Sequence, residues 1–331
     1  MAQGDTGVPR AETVCRFERS EAKSRSQRDV SSLNLRWATG VAAALVLAIA
    51  LSYAPVRGAA QSLLSIFQPE AFTPIALHRA DFARLRGMPF PNLQSFGETR
   101  VLRREHVVKY ANMQSVSRTA HQVILRPHYL PRGIGPQISY FVASPTSATF
   151  TFDAKRARGY AARHHATLPP MPPNLAGSTV TGNIGAIVSS IYGKLPYRPR
   201  HRRATSNKEM DASPLDADVI MVTQAPAPRF YSDGATLTQI ESYLLSMPNV
   251  PPDLAAQIRA IGDPATTVPV PIPVDKMNAQ QVQVHGANGL LVGDNTGLGA
   301  FVLWQQRGEV YAVGGPYAAS EVMQVANSLA P

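Results

Sequence analysis

The chain has 331 residues, 16% of them charged and 28 of them proline, so long irregular connections are expected between its elements. Cys15 is the single cysteine, which excludes an intrachain disulfide and a thiolate zinc site. Net charge is +10, and residues 1–36 supply only +2 of it, from seven basic and five acidic side chains.

Residues 1–36 read as a disordered cytoplasmic tail: the first 34 are polar, rich in Ser and Arg, and almost free of large apolar residues. Trp37–Val56, WATGVAAALVLAIALSYAPV, then holds twenty residues without a charge between Arg36 and Arg57. At about 1.5 Å per residue, a helix of that length reaches roughly 30 Å, the thickness of a bilayer's hydrocarbon core. In lipid the backbone polar groups need partners inside the segment, and a helix supplies them. Trp37 and Tyr53 stand near its ends, where amphipathic rings favour the headgroup level. A buried core helix of this length would ordinarily keep a polar face. The expected element over 37–56 is therefore a transmembrane helix.

Lys23, Arg25, Arg28 and Arg36 precede the span, whereas only Arg57 comes before Arg79 on its other side. The positive-inside rule thus puts the N-terminus in the cytoplasm and the C-terminal domain outside it, in the cell envelope. Gly58-Ala59-Ala60 offers small residues for signal-peptide cleavage, but a 36-residue leader and a long apolar run favour an uncleaved anchor. The 275 residues beyond position 56 suffice for one large core or two small ones.

After the span, Ala59, Ala60, Leu63, Leu64 and Phe67 recur at helical spacing, which predicts a short helix up to Gln68 before Pro69. Phe72–Leu77 looks extended and 80–86 a helical turn. Strands are expected over Glu98–Leu102, Val107–Asn112, Gln137–Ala143 and Ala148–Phe152, from their β-branched and aromatic residues at period two. Asp153 is placed to cap a helix over Ala154–His164, and Ser178–Thr181 with Ala186–Tyr192 predicts a further strand pair.

The segment 198–213 marks the boundary between two expected lobes, 57–197 and 214–331. Its Arg198, Arg200, Arg202 and Arg203 are candidate contacts for an anionic lipid or polymer, or else simply a solvated loop. Beyond it Asp218–Gln224 reads as a buried strand, Thr236–Met247 as a helix with Leu237, Ile240, Leu244 and Met247 on one face, and Pro251–Ile261 as a second helix. Ala265–Val274 alternates Val and Ile with Pro, which suits an edge or an extended link and not a central strand. Gln281–His285, Leu290–Val292, Ala300–Gln305 and Glu309–Val313 are separated by short glycine-bearing turns and predict an antiparallel meander, closed by a helix over Ala319–Leu329. The fold class that follows is α+β: an N-terminal transmembrane helix, then an exported antiparallel-sheet domain with helices packed on it.

Trp304, Gly308-Glu309-Val310-Tyr311, Gly314-Gly315, Glu321-Val322-Met323 and Ala326-Asn327-Ser328-Leu329 together form a pattern. It resembles the C-terminal signature of a domain of unknown function found in membrane-anchored bacterial proteins, some of them similar to anti-sigma factors. Arg126-Pro127-His128-Tyr129-Leu130-Pro131-Arg132-Gly133 resembles the entry strand of the same domain, with Pro127, Leu130, Pro131 and Gly133 at its marked positions. The likeness brackets roughly residues 115–331, with a longer middle than is usual. It implies a fold and a location outside the cytoplasm, with no reaction attached. Anti-sigma proteins of this type often carry a zinc-binding Cys/His module before the membrane; residues 1–36 hold no histidine, so that route to a sigma factor is not supported.

No G-x-S-x-G elbow, H-E-x-x-H pair or G-x-x-x-x-G-K-[ST] loop occurs. Gly293–Gly299 is glycine-rich but stands between two strands without a following lysine, which favours a hairpin connection over a phosphate site. His164-His165 is the one adjacent histidine pair, and neighbouring helical positions point apart. No cofactor, no metal site and no enzymatic activity are therefore expected. The expected function is a single-pass, membrane-anchored binding or sensory domain with an unidentified protein or ligand partner. The alternative is an exported nucleic-acid-binding module using the helical hairpin at 236–261, where Asn249 and Pro251 occupy the places of the two hairpin glycines.

Overall fold

The computed structural model describes residues 65–79, 81, 93–194, 218–247, 250–261 and 264–331. The tail expected at 1–36, the span expected at 37–56, most of the turn expected at 80–86 and the basic segment 198–213 lie outside the described residues. The first half contributes β1 (Ser65–Phe67), β2 (Ala71–Leu77), β3 (Gly97–Arg103), β4 (Val107–Tyr110), α1 (Met113–Ala120), β5 (Arg126–Pro127), β6 (Ile138–Ala143), β7 (Thr146–Phe152), α2 (Ala154–His164), β8 (Thr179–Ile184) and β9 (Ile187–Gly193). The second half adds β10 (Val219–Pro226), β11 (Arg229–Ser232), α3 (Leu237–Leu245), α4 (Pro252–Arg259), β12 (Thr267–Pro273), β13 (Met277–Val284), β14 (Ala287–Asp294), β15 (Ala300–Gln306), β16 (Glu309–Gly315), α5 (Ala319–Asn327) and β17 (Leu329–Ala330). The architecture is α+β and mostly antiparallel sheet.

An eight-stranded sheet runs β13-β14-β15-β16-β10-β9-β6-β4, and a five-stranded one runs β1-β11-β8-β7-β3. Strands from both sides of segment 198–213 share the larger sheet, since β10 pairs with β9 on one edge and β16 on the other. The two sheets are lengthwise continuations of each other. Ile138↔Tyr192 and Ala143↔Ile187 in the larger sheet keep the same antiparallel offset as Thr146↔Ile184 and Thr151↔Thr179 in the smaller one. Val219↔Gly193 and Ser232↔Val180 repeat this for the next pair of strands. The chain thus passes from one sheet to the other, without reversing, at Ser144-Pro145, Gly185-Ala186 and Ala227-Pro228.

That continuity corrects one expectation. β8 and β9 exist as strands, but they are not partners; each pairs with its neighbours in a different sheet. The interruption at Gly185-Ala186 looks like a turn in sequence and acts as a bend, because a glycine there lets the backbone lie against Pro226, whose Cγ stands 2.8 Å from where a Cβ would sit. A second correction concerns the helix expected up to Gln68. Ser65–Phe67 is strand β1, paired with β11, and the Phe67 ring meets Phe230 edge-on at 5.6 Å. Residues 59–64 of that expected helix lie outside the described residues; over the three residues of β1 a period of 3.6 cannot be told from one of 2, and burial of Phe67 against β11 decides.

Asp153 caps α2 as its sequence predicts, accepting from the N–H groups of Lys155 and Arg156. Thr236 and Gln239 form a capping box at the start of α3. In the meander, His285-Gly286 and Arg307-Gly308 all have positive φ, the requirement of two-residue type I′ hairpins. The Gly293–Gly299 stretch is the β14–β15 hairpin connection, and its amides are already used: Asp294 Oδ1 accepts from Thr296 N and Leu298 N and from the Thr296 hydroxyl.

One face of the eight-stranded sheet is covered by helices. Tyr192, Ile220, Val222, Val302, Trp304 and Val313 pack there against Val322, Val325 and Ala326 of α5, and Val142 and Val188 against Val116 and Ala120 of α1. The opposite face packs Leu290, Val292, Leu303, Val310 and Ala312 against the parallel pair β2–β12. Parallel pairing was not foreseen, though an edge position was. In β12 the N–H of Val274 donates to Leu77 O, and Val268, Val270 and Ile272 share its parity; Pro269, Pro271 and Pro273 fall at the alternate positions, where a missing donor breaks no ladder bond. The outer edge of β2 is closed by side-chain amides: Gln257 pairs with both the N–H and the C=O of Ala76, and Gln281 donates to Phe72 O.

Within the helix-covered face, the Tyr192 hydroxyl is buried without a hydrogen-bond partner among the described residues. Burial, with a contribution from neighbouring Tyr140 and partly offset by Arg126, pushes its pKa up to about 12. The folded state therefore favours the neutral phenol over a range where the unfolded chain ionises. Stability from this group is complete below pH 10 and is lost as pH rises towards 12. Tyr192→Phe is expected to be neutral, or stabilising by about 1 kcal/mol, near pH 8, because a desolvated unpaired hydroxyl is removed. It is also expected to flatten the alkaline decline. Urea midpoints at pH 8 and pH 11 read both effects, and a loss above about 1 kcal/mol at pH 8 would show that the hydroxyl has a partner.

Candidate ligand-binding face

The five-stranded sheet has two unlike faces, and the alternation is written in its strands. In β7 and β8, Ala148, Phe150, Phe152 and Val180 point inward, where Phe150, Phe152 and Val180 meet Ala157 of α2 and Ile240 and Tyr243 of α3. The intervening residues, Ser147, Thr149 and Thr151 in β7 and Thr179, Thr181 and Asn183 in β8, point the other way. Antiparallel register lines them up into three rows that cross the strands.

The first row is Arg103–Ser147–Asn183–Arg229, each residue directly opposite the next. The Ser147 hydroxyl donates to Asn183 Oδ1 at 2.8 Å. The second row is Arg100–Thr149–Thr181–Tyr231. The third is Glu98–Thr151–Thr179, with the two threonine hydroxyls 3.3 Å apart. Neighbouring strands lie about 4.8 Å apart, so Arg103 and Arg229 begin roughly 14 Å from each other, and successive rows are separated by roughly 7 Å. A register shift between Val101 and Arg103 sets Arg103 opposite Ser147 and so brings its guanidinium onto this face.

Arg100, Arg103, Asn183 and Arg229 are exposed, while Thr149 and Thr181 at the centre are buried. The Glu98 carboxylate lies 3.6 Å from Arg156 of α2, which offsets its charge. Among the described residues, no carboxylate is within ion-pair distance of Arg100, Arg103 or Arg229. On the larger sheet, Lys109 of β4 holds its Nζ 5.8 Å from the centroid of the Phe141 ring. The face combines three guanidinium groups, five hydroxyls, one amide and one phenol on a rigid strand platform. Its chemistry is recognition by charge and hydrogen bonds. Guanidinium forks suit carboxylates or phosphates, and β-branched threonines hold their hydroxyls in few rotamers.

The described residues among those singled out in sequence lie away from this face, in the core under α5 and in turns. Pro127 in β5 pairs with Leu329 in β17, and His128 N donates to Ser328 O at 3.1 Å, so the entry segment and the closing segment meet. Leu130 packs beside Trp304 and Leu329 in the core under α5, and Pro131 is buried. Trp304 stacks on Tyr311 with centroids 5.2 Å apart. Burial pushes the Tyr311 hydroxyl up, helped by the neighbouring Glu309 carboxylate and opposed by Arg307. Gly133 and Gly308 have positive φ, and a Cβ on Gly314 would sit 2.8 Å from the Phe301 Cβ. Arg198, Arg200, Arg202 and Arg203 lie outside the described residues, as does Asn249 of the helical hairpin. In the described part of that hairpin, α4 packs Leu254 and Ile258 against Ile75, Leu77 and Ile261.

The three-row face was missed in sequence. Its signal is the paired T-x-T of Thr149-Phe150-Thr151 and Thr179-Val180-Thr181, each polar at every second position. It becomes a site only once register sets the two beside each other. Among the described residues no group of His, Cys, Asp and Glu could hold a metal ion. Comparison of the chain with protein-family models, with curated proteins and with solved structures finds no match.

Proposed function

We propose that this chain is a single-pass membrane protein whose N-terminus lies in the cytoplasm and whose α+β domain lies outside it as a binding or sensory module. The uncharged run Trp37–Val56 carries the reading, since twenty such residues match the span of a bilayer. The likeness of Trp304, Gly308, Tyr311 and Gly314 to the signature of membrane-anchored bacterial proteins supports it. So does a broad sheet face, with three arginines, that the core does not consume. Among the described residues no helix is long and apolar enough to cross a membrane; the run itself is outside them.

The nucleic-acid alternative, resting on residues 236–261, has less behind it. Pro251 has no N–H to offer a phosphate, and α4 turns Leu254, Gln257 and Ile258 towards β2. Expression of the full chain in a bacterial host tests the proposal. The protein is expected in the membrane pellet after carbonate extraction, and protease added to spheroplasts is expected to degrade the domain. Recovery of the intact chain in the soluble fraction, or a domain protected until the membrane is lysed, would overturn it.

A further inference from the structure

We propose that the outward face of the five-stranded sheet docks an acidic polysaccharide, a linear glycan bearing carboxylates, laid across the strands along the Arg103–Ser147–Asn183–Arg229 row. The inference rests on reading the domain as an extracytoplasmic binding module, and it names what that module binds.

Charge selects an anion. Arg103 and Arg229 close the two ends of the first row and Arg100 opens the second, while the two carboxylates of the third row are already engaged, Glu98 by Arg156 and Asp233 by the N–H of Thr179. A guanidinium is a bidentate partner for a carboxylate, and two of them roughly 14 Å apart suit a polymer that repeats its charge more than a single small anion.

The groups between the arginines select a sugar chain. Ser147, Asn183, Thr151 and Thr179 present hydroxyls and an amide, which both donate and accept, as the hydroxyls of a pyranose do, with Thr149 and Thr181 buried between them. Val101 and Leu102 at the register shift are the large exposed hydrophobics of β3, and Val101, opposite Ala148, belongs to the other side of the strand, so a protein partner would find no anchor cluster within the rows and a lipid surface no apolar wedge. Tyr231 is the single aromatic residue in the rows. A single-stranded nucleic acid needs a succession of rings on which to stack its bases, whereas one ring can cover the flat C–H face of one sugar. Cross-strand bonds between Ser147 and Asn183 and between Thr151 and Thr179 hold the platform before any ligand arrives, which lowers the entropy lost on docking.

The experiment uses the full chain in a neutral detergent, titrated calorimetrically at low and at high salt with polygalacturonate, with uncharged dextran and with oligothymidylate. Polygalacturonate is expected to bind, more weakly as salt rises, and dextran at least about tenfold more weakly. The double variant Arg103→Gln/Arg229→Gln is expected to lose about tenfold or more in affinity for the polyuronate. Ser147→Ala is expected to weaken it by a smaller factor, and Arg158→Gln at an exposed position of α2 to leave it unchanged. Both arginines of the double variant are exposed, so its melting curve is expected to match that of the parent. No binding of polygalacturonate, or binding that survives Arg103→Gln/Arg229→Gln, overturns the proposal. Oligothymidylate binding of equal strength that depends on the same arginines overturns it in favour of a nucleic acid. Protease accessibility of the domain is read independently, so a domain that lies outside the membrane yet ignores the polyuronate sinks the glycan alone.

Discussion

Trp304→Ala is expected to lower the free energy of unfolding by about 3–5 kcal/mol, at the upper end of what single core truncations cost. The indole is 1% exposed, stands in the middle of β15, and is covered by Val322, Val325 and Ala326 of α5 and by Leu329. Removing it leaves a cavity between a hydrogen-bonded sheet and a helix whose following strand, β17, is tied to β5, so the site has little freedom to collapse. Stacking on Tyr311 adds a smaller loss. Trp304→Phe separates packing from polarity. The indole Nε1 has no hydrogen-bond partner among the described residues, so phenylalanine forfeits volume and no bond, and about half the alanine penalty or less is expected. Equilibrium urea unfolding followed by circular dichroism measures both variants. An alanine variant within about 1 kcal/mol of the parent would show that the indole is not central to the core.

The second large effect is expected from Gln224→Leu, a change that looks conservative by volume and puts an apolar group into a buried position. Gln224 is 4% exposed in β10, and its amide reaches across to the segment after α1. Oε1 accepts from Leu125 N at 3.0 Å, and Nε2 donates to Val123 O at 2.8 Å. Gln122 extends the link by donating to Ala186 O at 2.7 Å, beside the bend between β8 and β9. The leucine variant strands one backbone N–H and one C=O that have no strand to join, at about 1–3 kcal/mol each. The loss is expected to total about 2–5 kcal/mol and to free residues 122–125, which amide hydrogen exchange reads at Leu125. Unchanged protection at Leu125 would mean that another group holds the segment.

Both predictions concern residues whose partners are distant in the chain, and this is where reading from sequence alone runs short. Local signals sufficed for elements whose cause is local. Asp153 at the start of α2, Thr236 with Gln239 at the start of α3, and the two-residue turns at His285-Gly286 and Arg307-Gly308 are specified within four residues. The meander from β13 to β16 was legible for the same reason, because each strand pairs with the next along the chain. The proline alternation of β12 announced an edge strand, since every second residue lacks a donor.

Nothing local separates a bend from a turn. Ser144-Pro145, Gly185-Ala186 and Ala227-Pro228 each interrupt a strand in sequence, and only the shared register across three chain segments shows that the strands run on. The same is true of the candidate site. Arg103, Ser147, Asn183 and Arg229 come from four strands, the first and last 126 positions apart, and no spacing relates them. Ser65–Phe67 went astray because burial beside Phe230, a long-range contact, overrode a short helical pattern.

What the sequence determined by itself is the uncharged stretch at 37–56, the alternation that divides β7 and β8 into a core side and a polar side, and the caps and turns that begin and end the elements. Those follow from chemistry within a few residues, where chain entropy allows few alternatives. The tertiary structure alone decided which polar sides lie next to one another, that Gln224 and Gln257 complete backbone groups far from them in the chain, and that the one parallel pair among the described residues joins β2 to β12. Those depend on register, and a one-residue slip in β7 or β8 would turn its whole polar side into the core.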